Sequence, residues 1–298
     1  MSIPESQLDT WSAQGAGAGS RDTYDVVRRA LEAGSYNNST PRIFLQGSYG
    51  NDTNVWSESD VDVVITTEEF FYYDTSELTP QDLAIFQSVF SGGPSSYTYS
   101  NFKGDVTKAL TECFGQSAVM PGKRAIAIAA DGERRRADVI VAALYRRYHS
   151  FPSLDGATKT EGICFYTSDW TQIVNYPQQH SANCTTKHQG TYGWFKPSVR
   201  ILKNMRRRLV ENGSIDKVTA PSYFLEGLLY NLPGTYFGSS YQSTIGNALD
   251  WLNGLTPNET SKLVCANEMF YLVRDYNVTW APANYAKFLT AATELWQN

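Results

Sequence analysis

One stretch restricts this chain more than any other: Gly47-Ser48-Tyr49, followed a dozen residues later by Ser59-Asp60-Val61-Asp62-Val63-Val64-Ile65. The second segment reads as a strand entered from a tight glycine-serine turn. Side chains alternate between the faces of a strand, so Asp60 and Asp62 project together while Val61 and Val63 enter a core. Two carboxylates so close repel each other and do not both ionise easily. A divalent cation removes that conflict, and Mg²⁺ is the hard, oxygen-seeking ion that carboxylates share with substrate phosphates. The turn offers backbone N–H groups and the Ser48 hydroxyl to a phosphate, a nest-like anion site. A phosphate cradle combined with metal-binding carboxylates points to nucleotidyl transfer.

Ala137-Asp138-Val139-Ile140-Val141-Ala142 places a third acid near the start of a short apolar run, a buried-strand pattern. A charge there is costly without compensation. If this strand lies beside the first, three carboxylates converge. That suits a two-metal site, in which one ion activates the attacking hydroxyl and the other holds the leaving phosphates. The competing reading makes Asp60 and Asp62 exposed loop acids and has Asp138 salt-bridge Arg134-Arg135-Arg136. The turn, the pair and the later acid taken together favour the metal site.

The chain's 298 residues suffice for one large domain or two small ones. Its 42% hydrophobic and 18% charged residues are ordinary for a folded protein. A net charge of −5 argues against broad capture of nucleic acid, which wants a basic face. The local clusters Arg134 to Arg136 and Arg206 to Arg208 suit phosphates or a small ligand better than a duplex. No stretch reaches the length of a membrane span and no signal pattern opens the chain, so a cytoplasmic protein is expected. Cys113, Cys164, Cys184 and Cys265 lack the spacing of a disulfide framework or a redox motif. His180, Cys184 and His188, spaced by four with Cys164 upstream, leave a zinc site open, but their polar surroundings read as an ordinary loop.

Residues 1 to 20 read as a poorly ordered lead because of Gly15-Ala16-Gly17-Ala18-Gly19, with a helix following Ser20. Arg42 to Gln46 is a strand delivering the chain to the turn. Residues 80 to 92 are helical behind Pro80, and Ala109 to Phe114 ends another helix. Lys123 to Ala130 and Ala137 to Leu144 are a hairpin or adjacent strands around Asp131-Gly132. After residue 190 the pattern turns helical: Pro197 to Leu209, Ser222 to Tyr230, Tyr241 to Leu252, Glu259 to Asp275 and Pro282 to Trp296. The fold class is therefore α+β: a catalytic lobe over 1–190, a mixed sheet with helices, then a helical lobe over 191–298, with the active site expected in the cleft between them. In the second lobe, Lys203, flanked by Arg200, Arg206 and Arg207, is either a solvated basic face or a charge clamp on a triphosphate. Ser222 and Tyr223, at a helix start, offer a hydroxyl and amides to phosphate and an aromatic face to a base.

The chain resembles the bacterial cGAS/DncV-like nucleotidyltransferases (CD-NTases), cyclic-oligonucleotide synthases of CBASS antiphage defence within the polymerase-β-type superfamily. The resemblance runs from about residue 20 to the end. It rests on Gly47-Ser48-Tyr49, Thr53, Ser59-Asp60-Val61-Asp62, Ala137-Asp138-Val139, Asn175-Tyr176-Pro177, Phe195-Lys196 with Lys203, and Ser222-Tyr223-Phe224-Leu225-Glu226. It implies a polymerase-β-like catalytic lobe. It also implies two Mg²⁺ ions, replaceable by Mn²⁺, on Asp60, Asp62 and Asp138. By the same resemblance Gly47 and Ser48 would hold the donor triphosphate, Lys203 and Ser222 would contact its phosphates, and Tyr223 would stack on its base. The reaction implied is attack of a ribose hydroxyl on the α-phosphate with loss of pyrophosphate, repeated until a di- or trinucleotide ring closes. The substrates implied are NTPs, ATP with UTP as second base, and the partner is an effector protein that binds the cyclic product. One departure is Ala142, where relatives often carry proline. The DNA-binding zinc insertion of the animal sensor is not evident.

Gln46, Asn175, His180 and Asn183 each offer paired donors and acceptors to a base edge. Some relatives use an asparagine near Asn175 to select a pyrimidine, which makes it the candidate uracil reader. Equally, it can fix its own turn before Pro177. The alternative functions keep the catalytic centre and change the acceptor: a linear oligonucleotide or tRNA-tailing enzyme, or a protein-modifying nucleotidyltransferase.

Overall fold

The computed structural model describes residues 3–15, 18–37, 39–55, 60–93, 95–132, 134–275 and 278–297. The first elements are α1 (Glu5–Ser12), α2 (Ala18–Glu32), β1 (Arg42–Gln46), α3 (Gly47–Gly50) and β2 (Val61–Asp74). Then come α4 (Pro80–Val89), α5 (Tyr99–Phe114), β3 (Val119–Pro121), β4 (Ile126–Ile128), β5 (Ala137–Ser150), β6 (Thr158–Tyr166) and β7 (Gln172–Asn175). The rest is α6 (Pro177–Gly190), α7 (Phe195–Glu211), α8 (Ser222–Asn231), a 3₁₀ turn (Gly234–Tyr236), α9 (Tyr241–Gly254), α10 (Pro257–Thr260) and α11 (Pro282–Gln297).

By packing, the chain forms two units that do not follow the expected cut at 190/191. A sheet unit comprises Ala18–Gln46 and Ser59–Tyr176; a helical unit comprises Met1–Gly17, Gly47–Glu58 and Pro177–Asn298. The glycine-serine turn thus packs with the helices, because the side chains that hold it come from α7 and α8.

In the sheet unit the strand order is β1-β2-β5-β4-β3, with β6 also on β5 and β7 on β6. Among the described residues β2 and β5 pair in parallel and the other strand pairs are antiparallel. The β-branched run of β2 explains its central place: Val61, Val63, Val64 and Ile65 are all fully buried. Thr79 caps α4 with Pro80 in its first turn, and a Thr98–Asn101 capping box opens α5, so both helices begin where turn chemistry dictates.

In the helical unit, α7 and α8 bury Phe195, Val199, Leu202, Met205, Phe224, Leu225 and Leu228 in one core. The first residues are not a loose lead. Ile3, Leu8 and Trp11 are buried in that core. Glu5 accepts the backbone N–H groups of Tyr241 and Gln242, at 2.6 and 2.7 Å, at the start of α9. The glycine run obscured this helix in the sequence; Ala16 and Gly17 themselves lie outside the described residues.

Two further expectations are corrected. Residues 180–188 are not a loop: Pro177 opens α6, which turns Pro177, His180 and Cys184 inward. The helix expected over Glu259 to Asp275 is only the single turn α10, opened by a Thr256–Glu259 capping box. Beyond it the chain makes isolated bridges, Val264 to Tyr271 and Val273 to Trp280, and Asn231 both donates to and accepts from the Val264 backbone. Glu268, at φ 59°, sits in a left-handed conformation that no helix continues through. Among the described residues no helix is long and apolar enough to cross a membrane.

Candidate active site

In the sheet unit, β2 and β5 run side by side with Asp62 opposite Asp138. The Val61 N–H donates to the Arg136 carbonyl at 3.0 Å, tying the start of one strand to the approach of the other. Asp60 precedes β2 by one residue, and the two valines that alternate with the acids are buried. The structure thus brings the three sequence-predicted acids to one end of two adjacent parallel strands; Ser59 lies outside the described residues. Arg136 lies among them, 3.8 Å from Asp60 and 3.5 Å from Asp138. The competing sequence reading was therefore right about an arginine contact, while Arg134 pairs with Asp131 at 3.0 Å instead. Burial pushes the Asp138 carboxyl above its ordinary range; Arg136 opposes this and Asp60 adds to it. A half-buried acid beside a second carboxylate is the condition a divalent cation relieves, and the donors are all oxygen, the chemistry that a hard cation takes.

Gln46, the last residue of β1, pairs with Asp62, and the chain enters the turn at the next residue. Its side-chain oxygen is buried and accepts no hydrogen bond among the described residues. Gly47 takes φ 69°, a conformation that favours glycine, which explains its place at the head of the turn. The loop then closes on itself: Asn51 N–H donates to Gly47 O at 3.1 Å and Thr53 N–H to Ser48 O at 2.9 Å.

The helical unit grips this loop from α7 and α8. Lys203 is fully buried, not a solvated face. Its ammonium donates to Ser48 Oγ at 2.7 Å, Thr53 O at 2.9 Å and Thr53 Oγ1 at 3.1 Å, and sits 3.3 Å from a Glu226 carboxylate oxygen. Glu226 also accepts from Asn51 Nδ2 at 3.2 Å, from His180 Nε2 at 2.6 Å and from the Thr53 hydroxyl. Burial pushes this carboxyl up, but Lys203, His180 and Thr53 more than offset that and hold it well below the carboxylate range. Of the neighbouring arginines, Arg200 donates to the carbonyls of Ser12 and Asp52, Arg206 donates to that of Ala220, and Arg207 pairs with Glu211. Glu226 and Thr53 had no role assigned from sequence; a glutamate inside the apolar run Phe224-Leu225-Glu226-Gly227-Leu228-Leu229 was the available signal, since buried acids are paired.

Ser222 opens α8 and Tyr223 follows, both half-buried. The Tyr223 ring stacks on His180 with centroids 4.3 Å apart, and its hydroxyl accepts from Asn267 at 2.9 Å. His180 is therefore a buried neighbour of Tyr223 and Glu226 and not a reader of base edges. Asn183 is likewise engaged, donating to Ala266 O at 2.8 Å. Asn175, at the end of β7, accepts from the Tyr176 N–H at 2.8 Å, the turn-fixing bond anticipated for it.

His180, Cys184 and Glu226 have potential ligand atoms all within 4.8 Å of one another. His188 is not in that group and accepts instead from the Lys196 N–H at 3.3 Å. Both Glu226 oxygens are already engaged, and burial first, then Glu226, pushes the Cys184 thiol well above its ordinary range. The hydrogen bonds that Glu226 accepts from Asn51, Thr53 and His180 make the three residues a packed polar cluster in their own right.

The chain is similar to proteins already known. Residues 182–297 match the model of the cGAS/DncV-like nucleotidyltransferase C-terminal helical domain. The cyclic UMP-AMP synthase of Rhodothermus marinus is 36% identical over 297 residues, covering 99% of this chain and 98% of that protein. Its structure, solved with Apcpp and Upnpp, superposes with a TM-score of 0.88 over 99% of this chain and 97% of that one. A cyclic nucleotide synthase of Staphylococcus haemolyticus is 34% identical, covering 99% of both chains. The cyclic dinucleotide synthase of Elizabethkingia meningoseptica, solved with GTP and Apcpp, is 29% identical with a TM-score of 0.78, covering 99% of this chain and 98% of that one. The chain belongs to the cGAS/DncV-like nucleotidyltransferase family.

Proposed function

We propose that this protein is a cyclic oligonucleotide synthase that joins NTPs into a di- or trinucleotide ring and releases pyrophosphate. The observation that carries the reading is the register of β2 and β5, which sets Asp62 against Asp138 on parallel strands with Asp60 just before them. In the reaction, a ribose hydroxyl of one nucleotide attacks the α-phosphorus of the next. The bond from that phosphorus to the bridging oxygen of pyrophosphate breaks, and the hydroxyl gives up its proton. Two Mg²⁺ ions (or Mn²⁺) on Asp60, Asp62 and Asp138 would supply the charge neutralisation this chemistry needs.

The rest falls to the chain's own groups. The amides after Gly47 and the Ser48 hydroxyl receive the donor triphosphate. Lys203 lends its charge from beneath the turn. Ser222 contributes at the start of α8, and Tyr223 presents its ring to the base. Similarity of the chain to the Rhodothermus protein supports ATP and UTP as substrates. Asn175 is assigned to uracil selection and Gln46 to contact with the nucleotide. The cyclic product is a messenger read by an effector protein in antiphage defence.

The test is to incubate the purified protein with labelled ATP, CTP, GTP and UTP and Mg²⁺, treat with phosphatase, and identify surviving products by mass. A phosphatase-resistant ring containing AMP and UMP is expected. Only linear, phosphatase-sensitive products would refute the reading in favour of a tailing enzyme.

A further inference from the structure

We propose that Glu226 is a positioning residue: with His180 it holds Lys203 under the turn so that Ser48 is committed as a hydrogen-bond donor to the donor triphosphate. The proposal rests on the nucleotidyl-transfer reading and adds to it a residue that never touches substrate. A lysine ammonium has donors and no acceptor, so the 2.7 Å contact between Lys203 Nζ and Ser48 Oγ fixes the serine oxygen as acceptor. The serine's own proton is thereby left to point elsewhere, toward an anion in the turn. Without that constraint a serine hydroxyl rotates to suit whichever neighbour is nearest.

The ammonium can hold this direction because its other neighbours are fixed too. It donates to Thr53 O and Thr53 Oγ1, and Glu226 faces it at 3.3 Å with its side chain 3% exposed. Glu226 is in turn held by Asn51 and Thr53, which belong to the loop leaving the turn, and by His180 from α6. Glu226 thus ties the exit of the phosphate loop to α8, while Lys203 ties Ser48 at its entry to α7. His180 extends the network, since the ring that donates to Glu226 also stacks on Tyr223. The cluster that resembles a metal site is on this account a strut between the base-stacking ring and the phosphate-binding hydroxyl.

The test is a double-mutant cycle read by binding of inorganic tripolyphosphate in Mg²⁺ buffer, using calorimetry on the full chain. Ser48→Ala removes the donor, Glu226→Gln keeps the size and removes the charge, and the third variant carries both. Each single change is expected to weaken tripolyphosphate binding about ten-fold, the scale of a hydrogen bond to a charged group. If Glu226 acts through Ser48, the double variant is no weaker than either single one. Thr53→Val, which removes the hydroxyl shared by Lys203 and Glu226 at nearly constant shape, serves as the second probe and is expected to show the same non-additivity with Ser48→Ala. Losses that add, or wild-type affinity in Glu226→Gln and Thr53→Val, would overturn the proposal. Formation of a cyclic product by the wild-type protein is measured alongside. Its absence condemns the functional reading, whereas additive losses in a protein that makes the product condemn only the role of Glu226.

Discussion

Replacing Lys203 with methionine tests the buried charge pair most sharply. The change keeps an unbranched side chain of similar length and deletes the ammonium, leaving Glu226 with its side chain 3% exposed and no lysine beside it. Removing one partner of a buried pair costs about 3–5 kcal/mol because the remaining charge stays desolvated. Glu226 keeps its bonds from His180, Thr53 and Asn51, so the low end, about 3 kcal/mol, is expected. At roughly 2–4 °C per kcal/mol for a unit of this size, the melting temperature should fall by about 6–12 °C. Adding Glu226→Gln to Lys203→Met should recover much of the loss, since a neutral pair of the same volume is close to neutral in stability.

The pH dependence has a definite sign. In the wild-type protein the folded Glu226 carboxyl is held below its unfolded value, so its contribution is present above the unfolded value near 4.3 and is lost only as pH falls through the folded one. In Lys203→Met the carboxyl rises instead, and protonation relieves the penalty. The gap between the two melting curves should therefore narrow from pH 7.5 to pH 5. Circular-dichroism melts at both pH values measure it. A Lys203→Met protein melting within 2 °C of wild type, or a double variant no more stable than the single one, would refute the reasoning.

Other expectations concern the carboxylates and the base. Asp62→Asn should cut cyclic product by at least about 100-fold, the scale of losing one preorganised electrostatic contact, with an unchanged circular-dichroism spectrum. Asp138→Asn should melt no lower than wild type in EDTA at pH 7. Burial raises the folded Asp138 carboxyl, so its stabilising contribution is fully present below the unfolded value near 3.9 and is lost as pH rises through the folded one; the advantage of asparagine should vanish below about pH 4. Asn175→Ala should change which NTPs enter the ring while turnover stays measurable; an unchanged product profile would remove the residue from base selection.

What could be read from the sequence followed periodicity. The acids of β2 and β5 stood out because a charge inside a β-branched apolar run has few explanations, and their neighbours Val61, Val63 and Val139 are buried as alternation requires. The helices α7, α8, α9 and α11 were legible for the same reason at helical spacing. What escaped was structure fixed by distant partners. α1 is held by Arg200 and Asn204 reaching its last carbonyls, and by Glu5 capping α9, none of which leaves a local signature. α6 is polar in composition, and only its inward turns reveal why His180 and Cys184 are spaced by four. The charge row on α7 looked like a clamp because spacing does not tell which way a lysine points. Lys203 points into the core, and the acid that admits it there, Glu226, lies on the next helix.

The most direct test of the catalytic assignment is diffraction from crystals grown with Mn²⁺ and non-hydrolysable ATP and UTP analogues, using the manganese anomalous signal. The account expects two manganese peaks liganded by Asp60, Asp62 and Asp138, with the donor triphosphate against Ser48. A manganese peak among His180, Cys184 and Glu226, with none at the aspartates, would contradict it.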